Sequence, residues 1–160
     1  MIINIYTDGS SKGNPGKGGY GVIIKAPTKE LRLSKGYRLT TNNRMELLAV
    51  IVGLESIKKN SQKIIITSDS KYVIDSVVKG WVFNWQKTGF KKKKNPDLWK
   101  RFLKVYSKHE ISFKWIRGHS GHIQNEQCDQ LAVEASDEIN LEVDDYFEKT
   151  QNKSPGLFDL

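Results

Sequence analysis

The stretch Ile2-Ile3-Asn4-Ile5-Tyr6-Thr7-Asp8-Gly9-Ser10 decides the fold, because the rest of the chain can be arranged around it. Its β-branched run is typical of a buried strand, and we predict that this strand ends at Asp8. An acid in that place has two interpretations. Asp-Gly pairs commonly begin turns, and a carboxylate at the end of a central strand can also bind a metal ion. The second interpretation requires other acids to converge on Asp8.

Two further acids are placed by the sequence near Asp8. Residues 64–68 form a second short apolar strand, which ends at Asp69. The order of strand, helix and strand predicts a parallel crossover that sets this strand beside the first. Glu46 lies in the first turn of a helix predicted from about residue 44 to 59, whose apolar residues on nearly all sides indicate burial. Sites in open α/β sheets gather at the carboxyl ends of strands, where Asp8 and Asp69 both lie.

The remaining elements complete an α/β pattern. Two strands follow the first and form an antiparallel meander with it, and a last strand delivers a glycine-flexed loop that carries His119. The helix after that loop places Asp129 near its beginning. The predicted elements are strands at 20–25, 31–39 and 111–116 and helices at 70–79, from 95 onward and from 123 onward.

The composition predicts one cytoplasmic domain. A chain of 160 residues with 38% hydrophobic content is long enough for one domain with a real core. No apolar run approaches the length of a membrane span, and Met1 leads directly into a strand without the pattern of a signal peptide. The single cysteine excludes an intramolecular disulfide and a thiolate zinc cluster.

The charge is unevenly distributed along the chain. Residues 1–133 hold 24 Lys and Arg against 10 Asp and Glu, whereas residues 134–160 hold 2 against 8. A body this basic favours a polyanionic partner, most often nucleic acid, over solubility alone. We predict that residues 1–136 form one catalytic domain. We expect residues 137–160 to form an acidic, flexible tail that is largely disordered beyond the last helix.

Aromatic residues alternate with lysines in residues 80–95. A solvated lysine loop is the ordinary interpretation of such a run. Interleaved tryptophans favour a nucleic-acid contact, because rings pack on sugars or bases while lysines meet phosphates. Some of these rings must also belong to the core, and the sequence leaves open which ones.

Taken together, the motifs resemble those of type 1 ribonuclease H over about residues 2–135. Each motif alone is weak, but a chance match of all of them in this order is very improbable. The matching motifs are Tyr6-Thr7-Asp8-Gly9-Ser10, Gly13-Asn14-Pro15-Gly16, Gly18-Gly19-Tyr20-Gly21, Thr41-Asn42-Asn43-Arg44-Met45-Glu46-Leu47, Thr67-Ser68-Asp69-Ser70, Gly80-Trp81, Gly118-His119-Ser120-Gly121-His122, Asn125-Glu126 and Cys128-Asp129.

The resemblance implies a fold and an activity. The fold is a five-stranded mixed sheet, with three antiparallel strands and then two parallel ones, flanked by helices. The activity is endonucleolytic cleavage of the RNA strand of an RNA–DNA hybrid, giving 5′-phosphate and 3′-hydroxyl products. The implied catalytic residues are Asp8, Glu46, Asp69, His119 and Asp129.

The four acids make chemical sense as ligands of two Mg²⁺ ions, for which Mn²⁺ can substitute. Four converging carboxylates repel one another unless cations lie between them, and hard oxygen ligands suit these metals. Our hypothesis is that Asp8 bridges both ions and Asp69 helps hold the ion that activates water. Glu46 and Asp129 then serve the leaving side.

His119 is not interpreted as a metal ligand. On a glycine-flanked loop its imidazole can approach the scissile phosphate, where it handles protons or assists product departure. The alternative is an ordinary surface histidine. His122 belongs to the same motif, and we interpret it as a loop or packing residue.

The resemblance also implies substrate contacts. Leu39 is a departure, because some relatives have an arginine two residues before the matching threonine, and Arg38 would point to the opposite face of its strand. This puts the phosphate pocket near Thr41 in question. The implied contacts are Asn14, Thr41, Asn42, Asn43, Trp81, Asn84, Trp85, Lys87, Lys91, Lys92, Lys93, Lys94 and Trp99.

Three other readings remain open at this point: a non-catalytic hybrid-binding module, a DNA nuclease on the same sheet such as a resolvase or integrase, and a domain of a reverse transcriptase. The four acids argue against the first, and the His119 loop with the basic aromatic segment argues against the second. Because Met1 begins the fold directly, we expect a standalone, monomeric enzyme. The last four residues, Leu157-Phe158-Asp159-Leu160, faintly resemble peptides that dock on bacterial sliding clamps, with a floppy end as the default interpretation.

Overall fold

The computed structural model describes residues 1–152 of the chain. Five strands form one mixed sheet in the order β3-β2-β1-β4-β5, so the predicted fold class is confirmed. The elements are β1 Ile2–Lys12, β2 Gly16–Ala26, β3 Lys29–Thr40, α1 Asn42–Glu55, β4 Lys63–Ser68, α2 Lys71–Val78, α3 Trp81–Lys87, α4 Pro96–Tyr106, β5 Glu110–Trp115, α5 Ile123–Ser136 and α6 Asp145–Asn152.

The central strand β1 is longer than its sequence predicts. It pairs antiparallel with β2 and parallel with β4, and Asp8 lies opposite Gly21 within the β1–β2 ladder. The prediction that the strand ends at Asp8 is therefore wrong, because pairing with β2 continues to Lys12 and outweighs the local turn tendency of Asp-Gly. The turn lies at residues 13–15 instead. Asp8 is thus held within the β1–β2 ladder, two residues beyond the end of the pairing with β4.

Helices cover both faces of this strand. On one face, the Ile5 side chain points at Gly53 of α1. On the other face, the carbonyl oxygen of Tyr6 accepts a hydrogen bond from Cys128 Sγ of α5. Residues of β1 alternate between faces, so each helix meets every second side chain. The main apolar cluster lies between the sheet, α1 and α4.

Two helix boundaries differ from the predicted ones. α1 ends at Glu55 rather than near residue 59, because Ser56 and the polar residues after it end the apolar pattern. Asp129 lies in the middle of α5, which begins at Ile123 directly after the His122 cap. That placement sets Asp129 on a rigid helical turn.

The chain after Ser136 differs from the expected disordered tail. Glu142 exchanges backbone hydrogen bonds with Gly36 and Arg38 of β3, and α6 follows over Asp145–Asn152. Asp144 is buried and attaches this segment to the domain. The acidic composition of the segment did not indicate such an attachment. The predicted docking peptide at residues 157–160 lies outside the described residues. Among residues 1–152, no helix is long and apolar enough to cross a bilayer.

Candidate active site

Three of the predicted acids converge at one edge of the sheet. One carboxylate oxygen from each of Asp8, Glu46 and Asp69 lies within 4.8 Å of the others. Asp129 joins them in the lining of one cavity of about 380 Å³, although it is not part of that close group. The cavity is lined by Asp8, Gly9, Ser10, Asn42, Asn43, Glu46, Asp69, Ser70, Lys71, Tyr72, His119 and Asp129.

Gly9 brings the first two carboxylates together. A Cβ atom at this position would lie 2.4 Å from the backbone nitrogen of Glu46, so only glycine lets β1 approach α1 this closely. The Gly9 N–H donates to Asp8 Oδ1 and to Glu46 Oε1, each over 3.0 Å. One backbone donor therefore orients two acids that come from different elements.

Gly118 has the same role for the loop that carries His119. A Cβ atom on Gly118 would lie 2.7 Å from Asp69 Oδ2, so the missing side chain leaves the carboxylate accessible. His119 adopts a positive φ of 55° and lines the cavity. His122, as predicted, has a local structural role, because its Nδ1 accepts from the Asn125 N–H and caps α5.

Burial raises the pKa values of the three close acids. It raises the pKa of Asp8 to about 7, with repulsion from Asp69 and Asp129 adding to the shift. Burial and the neighbouring Asp8 carboxylate raise the pKa of Glu46 well above its ordinary value. Burial also raises the pKa of Asp69, although the nearby His119 partly opposes this. Without cations the cluster therefore holds protons that ordinary carboxyl groups have lost at neutral pH.

The donor set fits a divalent cation. Glu46 Oε2 is buried and has no hydrogen-bond partner among the described residues, and this is costly unless an ion or water satisfies it. Carboxylate oxygens are the ligands that Mg²⁺ and Mn²⁺ prefer, and here they come from β1, from α1 and from the residue after β4. Asp8, Glu46 and Asp69 could hold such an ion, with Asp129 reaching the same cavity from α5.

The predicted asparagines lie beside the carboxylates. Asn42 and Asn43 start α1 and line the cavity, and Asn14 Oδ1 accepts from the Asn42 N–H over 3.2 Å. Thr41 caps the same helix by accepting from the Arg44 N–H. These exposed amides therefore lie at a helix start next to the acids.

A second groove of about 420 Å³ adjoins this helix start. Asn43 lines both the groove and the acidic cavity, so the two form a continuous surface. Arg38 is not among the groove residues, because its guanidinium pairs with Glu148 of α6. The groove is lined by Asn14, Pro15, Thr41, Asn43, Arg44, Lys93, Lys94, Asn95, Pro96, Tyr146, Phe147, Thr150 and Gln151.

The aromatic and basic residues of segment 80–95 lie partly on the surface and partly in the core. Trp81 is 43% exposed at the start of α3, and Trp85 is half-buried with Lys93 Nζ at 5.4 Å from its ring centre. Phe90 is buried in the core. The other predicted contacts in this segment, Asn84, Lys87, Lys91, Lys92, Lys93 and Lys94, are exposed.

Trp99 does not fit its predicted role as a direct substrate contact. Its side chain is fully buried in the core, packs edge-on against Trp85 and donates from Nε1 to Tyr72 Oη over 2.9 Å. The helical spacing of the apolar residues in α4 indicates that Trp99 lies on the buried face of this helix. Trp99 supports Trp85 and Tyr72 from beneath the surface.

Sequence reasoning missed two features near the site. Lys71 and Tyr72 line the cavity because they directly follow Asp69 and Ser70 at the start of α2, and Lys71 Nζ lies 4.6 Å from the centre of the Trp115 ring. Arg44 is buried two residues before Glu46. A cation in the first turn of a helix opposes the helix dipole, and this was the signal that it has acidic partners.

Comparisons with known proteins agree on one family. A family model described as RNase H matches residues 2–137. The ribonuclease H of Trichodesmium erythraeum (strain IMS101) is 54% identical over 147 residues, which cover 89% of this chain and 93% of that protein.

Solved structures give the same result. LC9-RNase H1, a type 1 RNase H with the type 2 active-site motif, aligns with a TM-score of 0.74 at 32% identity, covering 84% of this chain and 72% of its own. LC11-RNase H1 in complex with an RNA/DNA hybrid aligns with a TM-score of 0.64 at 28% identity, covering 84% of this chain and 96% of its own.

Proposed function

This chain belongs to the ribonuclease H family, and we propose on that premise that it hydrolyses the RNA strand of RNA–DNA hybrids with two Mg²⁺ ions. The proposed products carry 5′-phosphate and 3′-hydroxyl ends. The observation that carries the proposal is the group of three carboxylates within 4.8 Å, two of them buried and Asp69 partly so, which lies open to an adjoining groove. We propose that the enzyme acts as a cytoplasmic monomer.

The protein's part in this chemistry is to fix oxygen ligands before substrate arrives. Bound Mg²⁺ ions would supply Lewis acidity at the attacking water and at the leaving oxygen. Asp8 offers a carboxylate oxygen within 4.8 Å of both Glu46 and Asp69, so these three acids would hold the ions together. Asp129 completes the set from α5. Because Asp8, Glu46 and Asp129 lie in a strand or a helix and Asp69 directly follows β4, little reorganisation is needed during the reaction.

His119 is proposed to handle protons rather than to bind metal. Its ring is exposed on the loop over Asp69, where it can take up or release a proton beside the scissile phosphate. The left-handed backbone at His119 keeps the loop close to the carboxylate without placing the imidazole among the three close acids. We expect His119→Ala to slow turnover without abolishing it.

The surface around the cavity suits a duplex with two different strands. Asn14 and Asn43 are proposed to meet the minor groove, where the 2′-hydroxyl distinguishes RNA, and Asn42 is proposed to lie toward the DNA strand. Trp81 and Trp85, with the exposed lysines near them, are proposed to meet the DNA strand. The structure of LC11-RNase H1 with an RNA/DNA hybrid supports this choice of substrate.

The test is cleavage of an RNA–DNA hybrid labelled on each strand, beside RNA–RNA, DNA–DNA and single-stranded RNA, with Mg²⁺ or with EDTA. We expect metal-dependent cutting of the RNA strand of the hybrid alone. Binding of the hybrid without cutting would favour the non-catalytic binding module. Cutting of the DNA duplex would show that substrate choice has been assigned wrongly.

The lysines of the basic segment are tested by changing Lys91, Lys92, Lys93 and Lys94 together to glutamine. Hybrid affinity should fall by about tenfold or more at low salt, and the dependence of affinity on salt should flatten, because fewer phosphate counterions are released. The rate at saturating substrate should change little. The matched control changes Lys58, Lys59, Lys63 and Lys108, four exposed lysines at the opposite end of the sheet. Equal salt dependence in both variants would contradict the assignment.

A further inference from the structure

Arg44 is a buried cation that joins three separate segments of the chain. Its side chain is 3% exposed, and each nitrogen of its guanidinium has an acidic or amide partner. It donates to both oxygens of Asp144 over 2.7 and 2.9 Å and to both oxygens of Asp97 over 2.9 and 2.7 Å. A third partner, Asn95 Oδ1, lies 3.2 Å from Nη1. We call Arg44, Asp97 and Asp144 the arginine clamp.

The partners of Arg44 come from two different parts of the chain. Asp144 lies directly before α6, whereas Asn95 and Asp97 follow the lysine run and begin α4. Asn95 also donates from Nδ2 to Tyr72 Oη over 3.0 Å, and Tyr72 lines the acidic cavity. Hydrogen bonds therefore run without interruption from the C-terminal segment through Arg44 to the wall of the candidate active site.

The arginine clamp lies where the adjoining groove has its two walls. One wall carries Lys93 and Lys94, and another is formed by Tyr146 and Phe147 of α6. The Tyr146 ring centre lies 5.4 Å from the Arg44 Cζ atom, so the guanidinium also supports that wall. A change at the arginine clamp would alter the distance between the lysines and α6.

We propose that Arg44, Asp97 and Asp144 are positioning residues for hybrid binding. They hold the end of the lysine run and α6 against the start of α1, so that the groove accepts the sugar–phosphate backbone of the DNA strand. This inference rests on the proposed function. Planar, bidentate pairs fix relative position more strictly than apolar packing does, while buried ion pairs contribute little net stability for their desolvation cost.

The test compares Asp144→Asn with Glu148→Gln. Asp144→Asn removes one charge from the arginine clamp and turns an amide toward the guanidinium. Glu148→Gln removes the same charge from α6, but only from the exposed pair with Arg38. We expect Asp144→Asn to raise KM for the hybrid about fivefold with kcat within about twofold, and to reduce the salt slope of hybrid binding by about one phosphate contact. Glu148→Gln should leave KM and the slope unchanged.

A role in stability alone predicts a different outcome. Asp144→Asn would then lower Tm, while KM and the salt slope measured well below Tm stayed at the unaltered protein's values, and that result would overturn the proposal. If Asp144→Asn does not fold, Asp97→Asn replaces it, since Asp97 is partly exposed and lies on the lysine side of the clamp. The same rise in KM is expected there.

A third variant tests whether the clamp acts through the groove lysines. In a chain that carries Lys93→Gln and Lys94→Gln, adding Asp144→Asn should raise KM by less than twofold, because the positioned charges are already missing. A full fivefold rise in that background would overturn the proposal.

Hybrid affinity measured in EDTA separates this inference from the proposed function. If the unaltered protein neither binds hybrid in EDTA nor cleaves it in Mg²⁺, the proposed function fails. If it binds hybrid and Asp144→Asn binds equally well, only the arginine clamp fails as a positioning device.

Discussion

Two groups of acids lie close together in this protein, and only one of them has a cation of its own. Asp97 and Asp144 surround Arg44. In contrast, Asp8, Glu46 and Asp69 form no ion pair with a lysine or arginine among the described residues, although Lys71 and the exposed His119 line the same cavity. Both groups contain buried carboxylates. The difference separates a group that is complete within the chain from one that is complete only when divalent cations arrive.

The electrostatic consequences of the two groups are opposite. Burial lowers the pKa of the Arg44 guanidinium, but hydrogen bonds and attraction from Asp97 and Asp144 together outweigh this and raise its pKa above the ordinary value. In the other group, burial and mutual repulsion raise the carboxyl pKa values. A buried charge without a partner costs several kcal/mol, and proteins keep such groups mainly where function requires them.

The largest effect is expected from Asp8→Asn, which removes one of the three acids of the uncompensated group. Cleavage of the hybrid in saturating Mg²⁺ should fall by about a thousandfold or more, because a ligand shared by both proposed ions is lost. Without divalent cations the variant should be about 1–3 kcal/mol more stable at pH 8, since one repelling charge is gone. Cleavage rates and urea unfolding in EDTA measure the two effects.

Glu110→Gln is the control for this variant, because Glu110 is exposed at the opposite end of the sheet. It should change neither quantity. Appreciable activity in Asp8→Asn would remove Asp8 from the catalytic group, and a loss of stability would show that its charge is compensated after all.

The next largest effect is expected from Arg44→Met, which turns the compensated group into an uncompensated one. Two acids would lose their shared cation, one of them 8% exposed, so the free energy of unfolding should fall by about 3–5 kcal/mol at neutral pH. Adding Asp97→Asn and Asp144→Asn to Arg44→Met should restore part of the loss. Urea unfolding of both variants tests this, and a loss below 1 kcal/mol in Arg44→Met would contradict it.

The pH dependence of stability without metal gives a smaller effect of defined sign. The folded protein holds the Asp8 proton up to about pH 7, whereas the unfolded chain releases it near pH 4. Rising pH therefore favours unfolding across this window, and stability should fall by about 2–4 kcal/mol before becoming level above pH 7. Adding Mg²⁺ at pH 8 should reverse the loss, because the ion binds the deprotonated form.

The difference in stability between the unaltered protein and Asp8→Asn at each pH isolates this contribution from those of other carboxyl groups. As pH rises from 4 to 7, the unaltered protein should lose stability relative to Asp8→Asn. A difference that stays constant over this range would mean that the folded and unfolded chains hold the proton equally well.

The smallest effect is expected from Arg38→Gln, which removes the exposed partner of Glu148. The pair is bidentate, but the Arg38 side chain is 59% exposed, and water screens the attraction. The free energy of unfolding should fall by less than about 1 kcal/mol. A loss comparable to that of Arg44→Met would mean that burial does not distinguish the two ion pairs that hold α6.

The sequence was most informative where local pattern and chemistry agree. Apolar β-branched runs led to β1 and β4, and the acids that end or interrupt them lie together as expected. It was least informative about which residues of one type, such as tryptophan, lie on the surface and which lie in the core. Trp81 and Trp99 look alike in a list of aromatics, but one is exposed and the other lies in the core, because the helix that carries Trp99 packs on α1.

The sequence by itself determined the family, the α/β class and the identity of the converging acids, since these depend on residue types in a fixed order. Only the tertiary structure decided that Asp8 lies within a ladder and that the acidic residues after Ser136 dock on β3. It alone paired Arg44 with Asp97 and Asp144, which are 53 and 100 residues away. The physical reason is that ion pairs and strand ladders between distant segments leave no local periodicity in the chain.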